Sequence, residues 1–215
     1  MLVYHGSSVR VERPLYGVGN SCNDYGLGFY CTEVRELACE WACPLPKDGF
    51  VNAYELDVEG LSLFDFDEEP VGTLGWLAVL LSHRQFDIAT GLMERAKHYV
   101  LEFYPKSFDE SDVVAGYRAD DSYFSFARAF LDNRISLRQL ERAMRLGGLG
   151  RQVVLKSPQA FDSVRFVDAE VAPASLWHER RVGRDRRARS EFRRMLDQDE
   201  FASEDVFVID LIRKS

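Results

Sequence analysis

The sequence predicts an α+β protein. Three features carry that prediction: strand-like runs FVNAYELD and LSLFDFD joined by a turn at Val58-Glu59-Gly60, helical segments clustered mid-chain, and no regular strand–helix alternation. LVYHGS reads as a short strand leaving the core at His5. Residues 9–23 read as a loop carrying Pro14, Gly17, Gly19 and Asn20. After Tyr30, Thr32 is a candidate N-cap for a helix over TEVRELACEWAC, whose Val34, Leu37, Ala38 and Trp41 recur at three- and four-residue steps. The two strands come next, then helices over LGWLAVLLSHRQF and GLMERAKHYVLEFY. VVAGYRADD reads as a strand running into a glycine turn. DSYFSFARAFLDN and SLRQLERAMRL have helical periodicity; Ser136 caps the second, and Gly147, Gly148 and Gly150 break it. RQVVLKS is a strand, SPQAFDSV a helical turn and RFVDAEV a strand. A basic helix and a final strand, DVFVIDLI, complete the expected order.

Composition narrows the function classes. The chain has 215 residues, 46% of them hydrophobic, enough for a sizeable core. It has no apolar stretch of bilayer length and no charged-then-apolar leader, so a soluble, cytoplasmic protein without a membrane partner is expected. The cysteines 22, 31, 39 and 43 all fall early and lack paired C-x-x-C knuckles, so reduced, partly buried thiols are expected and no metal. Net charge is −8, but eight arginines against three acids between Glu179 and Arg194 make that stretch +5 and leave −13 elsewhere. The stretch reads as one polar helix with two open roles: a solvated brace against the acidic body, or a surface for nucleic acid or an acidic partner. Gly26 and Gly28 do not make a dinucleotide fold, because the full G-x-G-x-x-G and its strand–helix–strand unit are absent.

The chemistry concentrates in VYHGSS and DYGLGFYCT. A glycine after the histidine lets a ligand approach the backbone N–H and C=O, the donor–acceptor pair that a planar carboxamide needs. His5 offers a hydrogen bond to a ribose hydroxyl, Ser7 adds a donor, and Phe29-Tyr30 puts aromatic rings ahead of a helix N-terminus, which favours anionic oxygen. Together and in this order the two runs resemble the ADP-ribosyltransferase superfamily, in its histidine–tyrosine branch. More closely, the chain looks like a bacterial family of unknown function placed in that superfamily, often encoded beside small antitoxin-like proteins. The similarity runs through YHGS, DYGLGFYCT, ELACEWA, FVNAYEL, GWLAVLLSHR, VVAGYRADD and RQVVLKSPQAFDSVRFV to VFVIDLI.

That resemblance implies a split, mixed β-sheet core over residues 1–172 with a helical insertion at about 73–104. Residues 173–215 would be an extension of basic helix plus strand packing on the same domain. It implies NAD as substrate, with ADP-ribose passed to a protein or nucleic acid acceptor, and a toxin-type role with a cognate antitoxin as partner. His5 would hold the ribose of NAD, Gly6 the nicotinamide amide, and Tyr30 the nicotinamide ring, with Tyr25 or Phe29 behind it. The third position aligns with Gln152, where the family usually has glutamate. Losing one such charge typically costs about 3–4 kcal/mol of transition-state stabilisation. Two explanations stay open. Asp120 or Asp121, which also suit N-capping of the following helix, supplies the carboxylate, with Tyr117 and Arg118 beside it and Arg84 as a further phosphate contact. Otherwise the domain is a weak or inactive binding module. Hydrolysis of NAD by water is the remaining enzymatic alternative.

Overall fold

The computed structural model describes residues 1–67, 72–104, 108, 110–119, 121–148 and 150–214, with side chains 121, 122 and 147 set aside. The strands are β1 (Leu2–Ser7), β2 (Phe29–Cys31), β3 (Gly49–Leu56), β4 (Leu63–Asp65), β5 (Val113–Tyr117), β6 (Arg151–Leu155) and β7 (Val164–Ala172). The helices are α1 (Arg35–Ala42), α2 (Gly72–His83), α3 (Gly91–Phe103), α4 (Asp121–Leu131), α5 (Leu137–Ala143), α6 (Pro158–Asp162), α7 (Ala174–Gln198) and α8 (Val208–Lys214).

The core is a split, mixed sheet interrupted by helices. One half has the order β1-β3-β7 and the other β2-β6-β5-β4. All pairings are antiparallel except β4 with β5, and α2 and α3 lie between those two strands in sequence. Among the described residues, a single bridge joins the halves: Tyr4 N–H donates to Thr32 O at 2.8 Å and Thr32 N–H to Tyr4 O at 2.9 Å. This seam sets the start of α1. Thr32 spends its backbone on Tyr4, so α1 begins later with Val34 at its N-cap, and the expectation that Thr32 caps the helix is corrected. The Thr32 hydroxyl accepts from the Val34 N–H, at 3.2 Å.

Alternating strand faces explain the core. Val3 on β1 joins Phe29, Cys31, Tyr54, Val153 and Leu155 between the half-sheets, while Tyr4 and Val51 face α1. The largest apolar cluster lies where α2, α3, α4 and α5 pack on the face of β5 and β6 that carries Val114 and Val154. Gly6 and Gly49 are where α1 meets the first half-sheet. A Cβ at Gly6 would lie 1.9 Å from Ala38 O, and one at Gly49 would lie 2.2 Å from Ala42 O. Ser136 caps α5 through a reciprocal capping box with Gln139, as expected.

Two further expectations change. Gly116 sits inside β5 opposite Gln152, not in a turn; a Cβ there would lie 2.4 Å from the Tyr25 hydroxyl. DVFVIDLI is not a strand. Val208, Leu211 and Ile212 fall at helical spacing and pack on the large cluster, and Asp210 Oδ2 accepts from the Phe207 N–H at 3.0 Å, so α8 forms. The structure therefore closes with helices after its last strand. Arg138 on α5 anchors this end: Nε and Nη2 reach Asp205 at 2.8 and 2.9 Å, and Nη1 reaches Asp199 at 3.2 Å. Among the described residues, no helix is long and apolar enough to cross a membrane.

Gly6→Ala should destabilise the fold by at least ~1–3 kcal/mol, because the opposing atoms are helix backbone that cannot rotate away. Urea unfolding measures this, and an unchanged midpoint contradicts it. Acid should loosen the C-terminal segment first. Arg138 and the Ala202 N–H hold the Asp205 carboxyl below its ordinary range; at Asp199 burial works the other way, but Arg138 and Arg142 prevail. The stabilisation is therefore present above the ordinary carboxylate value of about 4 and is lost as pH falls through the lowered values. Hydrogen exchange over 199–214 should accelerate in that window before the half-sheets respond; simultaneous acceleration throughout contradicts it.

Candidate functional site

At the seam a polar cleft of about 350 Å³ opens, lined by Gly6, Asn23, Asp24, Tyr30, Trp41, Arg84, Arg118, Ala119, Gln152 and Arg181. The Tyr4–Thr32 bridge brings β1 against β2, and β6 pairs with β2, so Gly6, Tyr30 and Gln152 converge from three strands. Five of the residues singled out from sequence thus meet here: Gly6, Tyr30, Arg84, Arg118 and Gln152.

His5, Ser7, Tyr25 and Phe29 do not line the cleft. The His5 ring packs against Phe29 at 4.4 Å between centroids, and its Nδ1 lies 2.7 Å from Tyr30 O. Burial lowers the His5 pKa, outweighing that hydrogen bond, so the neutral ring donates through Nδ1–H and keeps Nε2 as an acceptor. The Ser7 hydroxyl donates to Val9 O and accepts from Asn52. Phe29 is buried between the half-sheets. Tyr25 is fully buried; its hydroxyl donates to Tyr117 O at 2.7 Å and accepts from Trp76 Nε1 at 3.1 Å. Asp120 lies outside the described residues, and Asp121 opens α4 with its side chain undescribed.

The turn ahead of β2 is built around Tyr30. Its hydroxyl donates to Gly26 O at 2.6 Å and accepts from the Tyr25 N–H at 3.0 Å. Burial raises its pKa well beyond the ordinary phenol range, so it stays a protonated donor. Gly26 adopts φ 73°, and a Cβ there would lie 2.6 Å from the His83 ring. Lys156 clamps the same turn by donating to Tyr25 O and Leu27 O at 2.5 and 2.8 Å. Tyr30 is therefore a wall of the cleft and the pin of its rim.

The charges are arranged unevenly. Arg118 stacks on Trp41 at 4.8 Å, Arg84 turns from the end of α2 toward Asp24 at 3.6 Å and rests on Phe124, and Arg181 reaches in from α7. Asp24 is the one carboxylate lining the cleft among the described residues. Burial raises its pKa, while Arg84, the Ala119 N–H, Arg118 and Gln152 work to keep it ionised. Asp24, Trp41 and Arg181 were missed as site residues. Asp24 stood inside the quoted DYGLGFYCT run, but only tertiary structure shows that it is 5% exposed. Trp41 read as part of an apolar helix face, and nothing in the arginine run distinguishes Arg181.

Among the described residues, five buried side-chain polar atoms have no hydrogen-bond partner, and three of them line this cleft: Asp24 Oδ1, Gln152 Oε1 and Trp41 Nε1. Native proteins pair nearly all such atoms, so three of them along one cleft require a specific reason. The arginine helix divides its labour. Arg184 grips the buried Glu40 through two 2.8 Å bonds and also donates to Gly148 O, whereas Arg186, Arg187, Arg193 and Arg194 are exposed. The thiols of Cys31, Cys39 and Cys43 are buried and Cys22 is exposed; burial pushes the Cys39 pKa up to about 11. Among the described residues, no group of three or more His, Cys, Asp or Glu side chains could hold a metal ion.

Tyr30→Phe should cost ~1–3 kcal/mol, because it strips the partner from Gly26 O and the Tyr25 N–H together. Chemical denaturation measures the cost, and a neutral result contradicts the pinning role.

No curated protein and no solved structure matches the chain. Residues 1–166, most of the chain, match the family described as Protein of unknown function (DUF3990), and the chain belongs to that family.

Proposed function

We propose that the protein is an NAD-dependent ADP-ribosyltransferase with an ADP-ribosyltransferase-like fold, acting on a protein or nucleic acid in a bacterial toxin role. One observation carries the reading. The glycine, tyrosine and third-strand residue that the sequence resemblance selects independently meet in one cleft, whose remaining lining supplies arginines and unpaired acceptors. Three guanidinium groups suit a pyrophosphate, since the planar fork matches its oxygens. Unpaired carboxylate and amide oxygens suit ribose hydroxyls, and the Tyr30 ring suits a flat nicotinamide.

In the reaction, the bond between ribose C1′ and the nicotinamide nitrogen breaks, and its electron pair leaves with nicotinamide, which departs neutral. The cationic ribose carbon then takes a lone pair from an acceptor O–H or N–H, whose proton passes to solvent. Such dissociative chemistry needs orientation and charge stabilisation more than a strong nucleophile. The exposed arginines of α7, on the face away from the buried Ala188 and Met195, offer a nucleic acid or acidic protein acceptor a docking surface. A small antitoxin is the expected antagonist. The neutral Gln152 favours a second reading, a nucleotide-binding module without turnover; a hydrolase would release nicotinamide without labelling a macromolecule.

Incubation with NAD and a cell lysate separates the three. Transfer predicts free nicotinamide plus an ADP-ribose mass adduct. Release without adduct indicates hydrolysis, and a thermal shift by NAD without release indicates a binder. Arg118→Ala should weaken NAD binding about ten- to a hundredfold, as expected for one lost charge-assisted contact of ~1.5–3 kcal/mol. Calorimetry checks this, and native affinity in the variant contradicts the phosphate assignment.

A further inference from the structure

We propose that Asp24 and Gln152 act as one composite ribose-facing group, in which Asp24 carries the negative charge and Gln152 fixes it and adds a second acceptor. The inference rests on the NAD reading above and names the source of the charge that Gln152 lacks.

The geometry is specific. Gln152 Nε2 donates to Asp24 Oδ2 at 3.2 Å, and the Ala119 N–H donates to the same oxygen at 2.9 Å. With its NH₂ committed to the carboxylate, the planar amide turns Oε1 away from Asp24 as an acceptor. Oδ2 is thus satisfied twice, while Oδ1 and Oε1 have no hydrogen bond although both residues are only 5% exposed. A structural brace would use both carboxylate oxygens. Here one is anchored, and the other has only Arg84 Nε at 3.6 Å, beyond hydrogen-bond range. A diol edge brings two O–H donors to such a pair of acceptors, and an attached pyrophosphate suits Arg118 and Arg181 on the same lining.

As the C1′–nitrogen bond breaks and its electrons leave with nicotinamide, positive charge grows on the ribose. Asp24 then forms no bond to carbon; it accepts a ribose hydroxyl and offsets that charge across the hydrogen bond. Burial raises its pKa, and Arg84, the Ala119 N–H and Arg118 oppose that rise. On this reading the charge stands in the loop before β2, with an amide at the β6 position where the resemblance implies a carboxylate.

Four proteins test this: native, Asp24→Asn, Gln152→Glu and the double exchange. Nicotinamide release, NAD affinity by calorimetry and melting temperature are read for each. Asp24→Asn should lower release by roughly 10²–10³-fold, as for one lost preorganised electrostatic partner. It should leave the melting temperature unchanged or higher, because a buried charge is removed. Gln152→Glu sets two carboxylates at hydrogen-bond distance, so they share a proton and a new ionisation enters the pH–rate profile. The double exchange restores one carboxylate and one amide and should exceed Asp24→Asn in release by at least about tenfold, the sign of direct coupling. Native release by Asp24→Asn overturns the pair while leaving NAD turnover standing. If Asp24→Asn misfolds, the double exchange decides: release within about tenfold of native supports the pair, and anything lower overturns it. If the native protein binds NAD without releasing nicotinamide, transfer falls and affinity decides; equal affinity in Asp24→Asn overturns the pair, and lost affinity supports it. If the native protein neither binds nor cleaves NAD, both readings fall.

Discussion

Two backbone hydrogen bonds between Tyr4 and Thr32 govern where this molecule keeps its polar surface. They stitch together half-sheets that share no other bridge among the described residues, and the stitch lies just before Gly6 on one side and just after β2 on the other. Everything in the cleft is placed relative to it. β2 pairs with β6 and brings Gln152; the turn before β2 brings Asp24; and α1, starting just past Thr32, brings Trp41. Gly6 and Gly49 let α1 lie directly on β1 and β3, so the helix wall stands at a fixed distance from the seam.

Around that frame the protein tolerates an energetically costly arrangement. A carboxylate buried to 5% exposure is unfavourable unless opposed charges and hydrogen bonds compensate. Arg84, Arg118, the Ala119 N–H and Gln152 provide part of that compensation, and one oxygen is still left without a hydrogen bond. Cores satisfy such groups; binding sites retain them. The arginine-rich helix extends the same logic. It is tied to the body through Arg184 and Glu40, which positions Arg181 over the cleft. Arg181 and Arg184 lie beyond the stretch that matches the family, so a segment outside that match supplies part of the lining.

Much of this was legible in the sequence, and the residues show why. Period-two and period-3.6 patterns located six of the seven strands and the helices up to α7, because those patterns record which face meets the core; β2, three residues long, is too short to show a period and read only as part of the glycine–tyrosine turn. The last segment failed since DVFVIDLI is apolar on both templates, and only packing by Val208, Leu211 and Ile212 chooses helix. Gly116 was misread because a glycine after two β-branched residues signals a turn locally, whereas here it makes room for the Tyr25 hydroxyl ninety residues away. In the cleft, Gly6, Tyr30, Arg84, Arg118 and Gln152 were named in advance. Asp24 was not, since an aspartate before a glycine turn is ordinary in sequence and only burial gives it meaning. His5 was assigned to the ligand, but its ring lies against Phe29 and bonds the Tyr30 carbonyl.

A crystal structure with NAD or a non-cleavable analogue bound tests the central claim most directly. The account predicts the nicotinamide ribose hydroxyls within hydrogen-bond distance of Asp24 Oδ1 and Gln152 Oε1, with the pyrophosphate against Arg118 and Arg181. A dinucleotide bound elsewhere, or one whose ribose turns away from that pair, would contradict it.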